Sequence, residues 1–324
     1  MDIYVKKAII HQFSPDDTDL YLADKLLNIT PKIEEYLRKK IERVYSDEAR
    51  TGIFEEDNPF LEMISDDLLE TSVVVANRWK EEFVVSENQK TNDLVFIQFS
   101  KEGVDHFAFL RIALRETLTH LGGEVDNPIK LTQNNLPGFG TGADEALVIN
   151  LQSRKYHLIE KRIKYNGTFL NYFSENLLQA QPKISPKKSI KALEKTAQKI
   201  AESFNTDDFQ FQSKVKSAIF NHIEEENKLS PEKLADDLFN DNLTARLSFI
   251  DQVKEAVPEP VTFEEIDASR QLKKFENQKL SLSNGIELIV PNNVYEDAES
   301  VEFILNENGT YSILIKNIED IQSK

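Results

Sequence analysis

Leu94-Val95-Phe96-Ile97-Gln98-Phe99 and His106-Phe107-Ala108-Phe109-Leu110 stand on either side of Lys101-Glu102-Gly103, and no other stretch constrains the fold as much. Runs rich in β-branched and aromatic residues around a glycine-containing turn predict two strands, and strands joined by so short a turn run antiparallel. Ala146-Leu147-Val148-Ile149 and Tyr156-His157-Leu158-Ile159 have the same character and extend the sheet, while Ile3-Tyr4-Val5 with Ala8-Ile9-Ile10 opens the chain as a further strand. From Pro31, the residues Ile33, Tyr36, Leu37, Ile41 and Val44 recur at three- and four-residue spacing, which is one face of a helix, and Leu61 to Phe83 repeats that signal less cleanly. Tyr165, Phe169, Tyr172, Phe173 and Leu177 also follow a helical spacing and read as core.

After Gln181 the pattern changes. Pro182, Ser185 and Pro186 interrupt it, and Ser185 before Pro186 is the cap and first turn of a new helix. In that helix Ile190, Leu193, Ala197, Ile200 and Phe204 form an apolar stripe, and Lys188, Lys191, Lys195 and Lys199 project elsewhere into solvent. Helical patterns continue over Lys214 to Ile223, Pro231 to Phe239 and Leu243 to Val253, and Val257-Pro258-Glu259-Pro260 reads as a linker. A final β module follows in Leu280 to Leu282, Ile286 to Val290, Val301 to Leu305 and Tyr311 to Ile315, with Asn308-Gly309 as a type I′ hairpin signal. The expected class is α+β: a mixed, largely antiparallel sheet with flanking helices, then a helical segment and a small C-terminal β module. The expected domains are 1–182 and 183–324, since 324 residues exceed one ordinary core.

Charge separates the function classes. The formal net charge is −17, yet residues 152–199 hold eleven Lys and Arg against three acidic residues, so that segment carries +8 and the remainder −25. A chain this acidic repels nucleic acid overall, and any phosphate contact has to be focused in the one basic segment. Zero Cys excludes disulfides, thiolate catalysis and Cys-based zinc sites. No apolar run reaches the ~20 residues of a membrane span, and no signal peptide is read at the start, so the expected location is the cytoplasm, without membrane partners.

Candidate nucleic-acid contacts are Lys161, Arg162 and Lys164, interleaved with Tyr156 and Tyr165, and the helix lysines Lys187, Lys188, Lys191, Lys195 and Lys199. Each set has a plainer reading, as solvated strand-edge positions and as the wet side of an amphipathic helix. Pro137-Gly138-Phe139-Gly140-Thr141-Gly142 is the most glycine-dense point, but a strand follows it, whereas nucleotide fingerprints need a helix there. His11, His106, His120, His157 and His222 are dispersed, without ligand spacing. The acidic pairs Asp16-Asp17, Asp66-Asp67, Asp207-Asp208 and Asp236-Asp237 lack a calcium-loop pattern. No cofactor, metal site or enzyme is expected.

The order of elements resembles the bacterial nucleoid-associated protein family along nearly the whole chain. The resemblance rests on His11-Gln12 after the first strand, Arg43-Val44-Tyr45 closing the first helix, the strands Leu94 to Phe99 and Ala146 to Leu151, Phe169-Leu170-Asn171-Tyr172-Phe173, and Lys273-Lys274-Phe275 leading into Leu280 to Pro291. It implies association with the bacterial nucleoid and a mixed α+β fold, and it brings no catalytic motif. Two readings follow. One is a nucleoid-associated protein touching DNA through 154–199, as a homo-oligomer so that weak patches act together. The other is an acidic adaptor that docks on protein partners with no nucleic-acid contact of its own.

Overall fold

The computed structural model describes residues 1–16, 19–86, 90–120, 129–204, 209–263 and 265–322. The chain divides into two compact units, Met1–Ser185 and Pro186–Lys324.

The first unit is built on β1 (Ile3–Ser14), β2 (Asp19–Tyr21), β3 (Arg50–Ile53), β4 (Asn92–Lys101) and β5 (Val104–Ala113), followed by β6 (Arg115–His120), β7 (Ile129–Asn135), β8 (Glu145–Asn150) and β9 (Lys155–Ile159). Seven of these form one sheet in the order β2-β1-β4-β5-β8-β9-β3, and every pairing in it is antiparallel. β4 and β5 meet at Glu102-Gly103, both left-handed with φ 54° and 83°, the conformation a two-residue hairpin turn demands. Side chains alternate across the sheet. Leu94, Phe96, Phe107 and Phe109 meet one apolar core, and Val95, Ile97, Phe99, Ala108 and Leu110 meet another. Both faces are covered, which is why these strands read as nearly continuous apolar runs. A register shift between Val5 and Lys7 resets the alternation in β1, so that Lys6 and Lys7 both reach solvent while Val5 and Ala8 stay buried on one side.

Helix α1 (Pro31–Glu42) covers one face with Leu37 and Ile41. The Leu61 to Phe83 pattern resolves into two helices, α2 (Pro59–Glu62) and α3 (Leu68–Phe83), because the Asp67 carboxylate accepts from Leu69 N–H at 2.8 Å and starts a new one. α3 covers the other face with Val75, Ala76, Trp79 and Phe83. The aromatic row after Tyr165 is not one helix. Asn166-Gly167, with φ 47° and 77°, turns the chain between β10 (Ile163–Tyr165) and β11 (Thr168–Leu170), leaving Tyr165 and Phe169 exposed at 41% and 61%. Tyr172, Phe173 and Leu177 are core, the last two within a π-helical turn, Phe173–Leu177.

The second unit holds α4 (Pro186–Ser203), α5 (Phe209–Glu226), β12 (Lys228–Leu229), α6 (Pro231–Leu238), α7 (Leu243–Lys254), β13 (Val261–Thr262) and α8 (Glu265–Phe275). Ser230 and Asn242 cap α6 and α7, and Ile190, Leu193, Ala197 and Ile200 join Ile219, Ile223, Leu234 and Phe249 in one core. The Val257 to Pro260 stretch is not a free linker, because Val257, Val261 and Phe263 are buried in that core and β13 pairs with β12. Two hairpins end the chain, β14 (Asn277–Ser281) with β15 (Glu287–Pro291), then α9 (Asn292–Tyr295), then β16 (Val301–Leu305) with β17 (Tyr311–Ile315). The turn at Asn308-Gly309 is not type I′, which needs two left-handed residues. Only Gly309 has positive φ, 79°, and Asn306 C=O accepts from Gly309 N–H at 2.9 Å across a longer loop.

Candidate nucleic-acid interface

The basic segment read from the sequence falls in both units. In the second, α4 begins at Pro186, and its buried stripe fixes the helix rotation, which leaves Lys187, Lys188, Lys191, Lys195 and Lys199 exposed. At about 100° per residue Lys188, Lys191, Lys195 and Lys199 fall within an arc of roughly 80°, opposite Leu193 and Ala197. Among the described residues Lys188, Lys195 and Lys199 have no ion-pair partner, and Lys191 lies near the Glu194 carboxyl, which burial pushes up in pKa. Glu202 shares the arc and takes Gln198 Nε2 at 3.3 Å.

In the first unit Lys161, Arg162 and Lys164 are also exposed. Lys161 Nζ pairs with Asp144 at 2.6 Å, so part of its charge is neutralised, and Arg162 Nε donates to Asn171 Oδ1 at 3.3 Å. Lys164 and Phe169 are direct cross-strand partners on one face of the β10–β11 hairpin. Of the two interleaved tyrosines only Tyr165 reaches solvent. Tyr156 is 1% exposed against Phe54, and burial pushes its hydroxyl up to about 12.

A family model described as nucleoid-associated protein YejK matches residues 9–321. The chain belongs to this family. Among curated proteins no match is found. The match takes in all the family-like stretches noted above, from His11-Gln12 to Pro291, together with both basic stretches, and supports a nucleoid-associated role for the chain.

The glycine loop of this family member holds a cation, not a phosphate. Lys40, fully buried, donates from Nζ to the carbonyls of Pro137 at 3.3 Å, Gly138 at 2.9 Å and Thr141. Tyr36 Oη donates to Pro137 C=O at 3.0 Å, and the Tyr36 and Phe139 rings meet edge-on at 5.4 Å. Loop carbonyls point inward at an ammonium, the reverse of amides gathered around an anion. The sequence signal was Lys40 itself, four residues after Tyr36 and next to Ile41 on the buried side of α1.

Four of the five histidines make structural contacts, and His120 is exposed. His11 and His106 are buried, with pKa values lowered by that burial, and the His157 ring meets the Tyr45 ring in a tilted contact at 4.7 Å. His222 Nε2 meets Asp237 at 2.6 Å, Asp236 pairs with Arg246 at 2.9 Å, and Asp67 is a helix cap. Asp17, Asp207 and Asp208 lie outside the described residues. Among the described residues no group of three His, Asp or Glu side chains could hold a metal ion, and no helix is long and apolar enough to cross a membrane.

Proposed function

We propose that this chain is a non-enzymatic DNA-binding protein of the bacterial nucleoid, in the cytoplasm, that contacts the phosphate backbone through Lys187, Lys188, Lys191, Lys195 and Lys199, with Lys161, Arg162 and Lys164 as a further contact. The observation that carries the reading is the exposed lysine arc of α4 in a chain of net charge −17. Lys188 to Lys199 spans about 16 Å of helix, comparable with about five phosphates of one strand at ~3.4 Å each. A chain whose other charges repel DNA gains from several such patches acting together, which favours a homo-oligomer.

Replacing Lys187, Lys188, Lys191 and Lys195 with Ala is expected to weaken duplex binding about 100-fold near 0.1 M salt and to lower the salt slope by about 3.6, at ~0.9 per phosphate lost. Unchanged affinity in a folded variant would refute the assignment. One observation favours the adaptor reading: the β16–β17 hairpin exposes Leu305, Tyr311, Leu314 and Ile315 at 63, 52, 47 and 48%. An apolar protein contact made there would change little with salt.

A further inference from the structure

β6 and β7 leave the main sheet and pair only with each other as a two-stranded arm. Thr117 opposes Thr132 and Thr119 opposes Lys130, so these four side chains share one face of the ribbon, and Thr119 Oγ1 lies 3.1 Å from Thr132 Oγ1 across it. Among the described residues that face carries hydroxyls and an ammonium and no carboxylate. Leu118, Ile129 and Leu131 lie on the other.

The root of the arm is clamped. The outgoing strand starts at Arg115, and the returning strand runs from Asn135 into the glycine loop that Lys40 and Tyr36 hold against α1. Arg43, one residue past α1, lies along this loop: a Cβ on Gly140 would stand 4.0 Å from its guanidinium, and one on Gly142 would stand 3.8 Å from its Cδ. Arg43 and Arg115 are exposed, and among the described residues neither has a carboxylate partner. Both lie near enough to Lys40 to add to the burial that lowers its pKa to about 8. Asp144 acts on Lys40 in the opposite sense, and it is already taken by Lys161 Nζ at 2.6 Å and by the Ala113 N–H at 2.8 Å. Two arginines therefore stand at the root beside the clamped Lys40, and among the described residues neither is paired with a carboxylate.

We propose that the root of this arm is a second DNA-backbone contact, in which Arg43 and Arg115 take phosphates of a duplex and the Thr117, Thr119, Lys130, Thr132 face of the ribbon lies in the adjoining groove. A two-stranded ribbon fits the major groove of B-form DNA, and Arg forms paired hydrogen bonds to phosphate oxygens. The inference rests on the DNA reading above and adds a contact in the first unit that is separate from the α4 lysines.

The test is a fluorescence titration of a labelled duplex between about 50 and 200 mM salt with the wild-type chain, R43A/R115A, R43K/R115K and the four-lysine variant. R43A/R115A is expected to bind about tenfold more weakly, with a salt slope shallower by about 1.8, whereas R43K/R115K keeps the slope because both charges remain. Lys130→Glu, on the exposed ribbon away from the clamp, is expected to weaken binding several-fold as well. Wild-type affinity and slope in both R43A/R115A and Lys130→Glu, with binding lost in the four-lysine variant, would overturn the inference and leave the contact on α4. The converse result, loss in R43A/R115A and none in the four-lysine variant, would support the arm root and refute the α4 assignment. No duplex binding by the wild-type chain at either salt would refute both.

Discussion

His11, the first residue of the family resemblance, has a structural role. Its Nδ1 accepts from the Ala23 N–H at 3.0 Å, so the proton is on Nε2, which donates to Ser72 Oγ at 2.9 Å, and Ser72 Oγ donates to Leu69 C=O at 2.8 Å. A second proton would break the Ala23 bond inside the core. Burial lowers the pKa of His11 and of His106, so below about 6.5 the unfolded chain binds protons that the folded chain resists, and stability falls with pH there. The urea midpoint is expected to drop between about pH 7 and 5.5, and His11→Gln to flatten that drop. Asp93 and Glu194, whose carboxyls burial pushes up, contribute with the opposite sign. A flat wild-type profile would contradict the assignment. Arg111 and Glu145 form a buried pair at 2.6 Å, in which Asn92 Oδ1 takes an Arg111 N–H at 2.9 Å and Tyr172 Oη donates to Glu145 while accepting from Trp79 Nε1 at 3.0 Å. Arg111→Met would leave Glu145 charged and unmatched, with an expected loss of about 3–5 kcal/mol in urea unfolding. None of this network was legible in the sequence, because its five members are spread over 93 positions, from Trp79 to Tyr172 by way of three strands.

At the scale of elements, much of what depends on near neighbours was readable. The β4–β5 hairpin, the Ser185-Pro186 helix start and the α4 stripe each rest on residues a few positions apart. Asn166-Gly167 is as local a turn signal as Asn308-Gly309, but a helical aromatic spacing ran across it and competed with it. The stretch Val257 to Pro260 read as a linker because of its two prolines, and only the tertiary burial of Val257, Val261 and Phe263 shows the segment to be core. The Lys40 clamp joins α1 to a loop about a hundred positions away, beyond any local pattern. Lys40→Met is expected to release the 136–142 loop, making it the first site of nicking by a nonspecific protease while the sheet core stays protected. Equal protection of that loop in both proteins would show the clamp to be dispensable.

At the scale of the molecule, two units share one chain, with two cores on the faces of the sheet and a third among the helices of the second unit. We expect residues 1–185 alone to unfold in one cooperative urea transition, since their cores draw on no residue beyond Ala180. The α+β class and the family were legible from patterns running through both units, while the separate arm inserted between β5 and β8 was not, because β6 and β7 alternate weakly and their apolar side chains stay exposed. The central claim is that an acidic chain reaches DNA through locally concentrated positive charge. Its most direct test is a titration of the wild-type protein against duplex and single-stranded DNA at about 50 and 200 mM salt. Phosphate contact predicts duplex affinity falling by orders of magnitude at the higher salt. Affinity that does not change with salt, or no binding at either concentration, would contradict it.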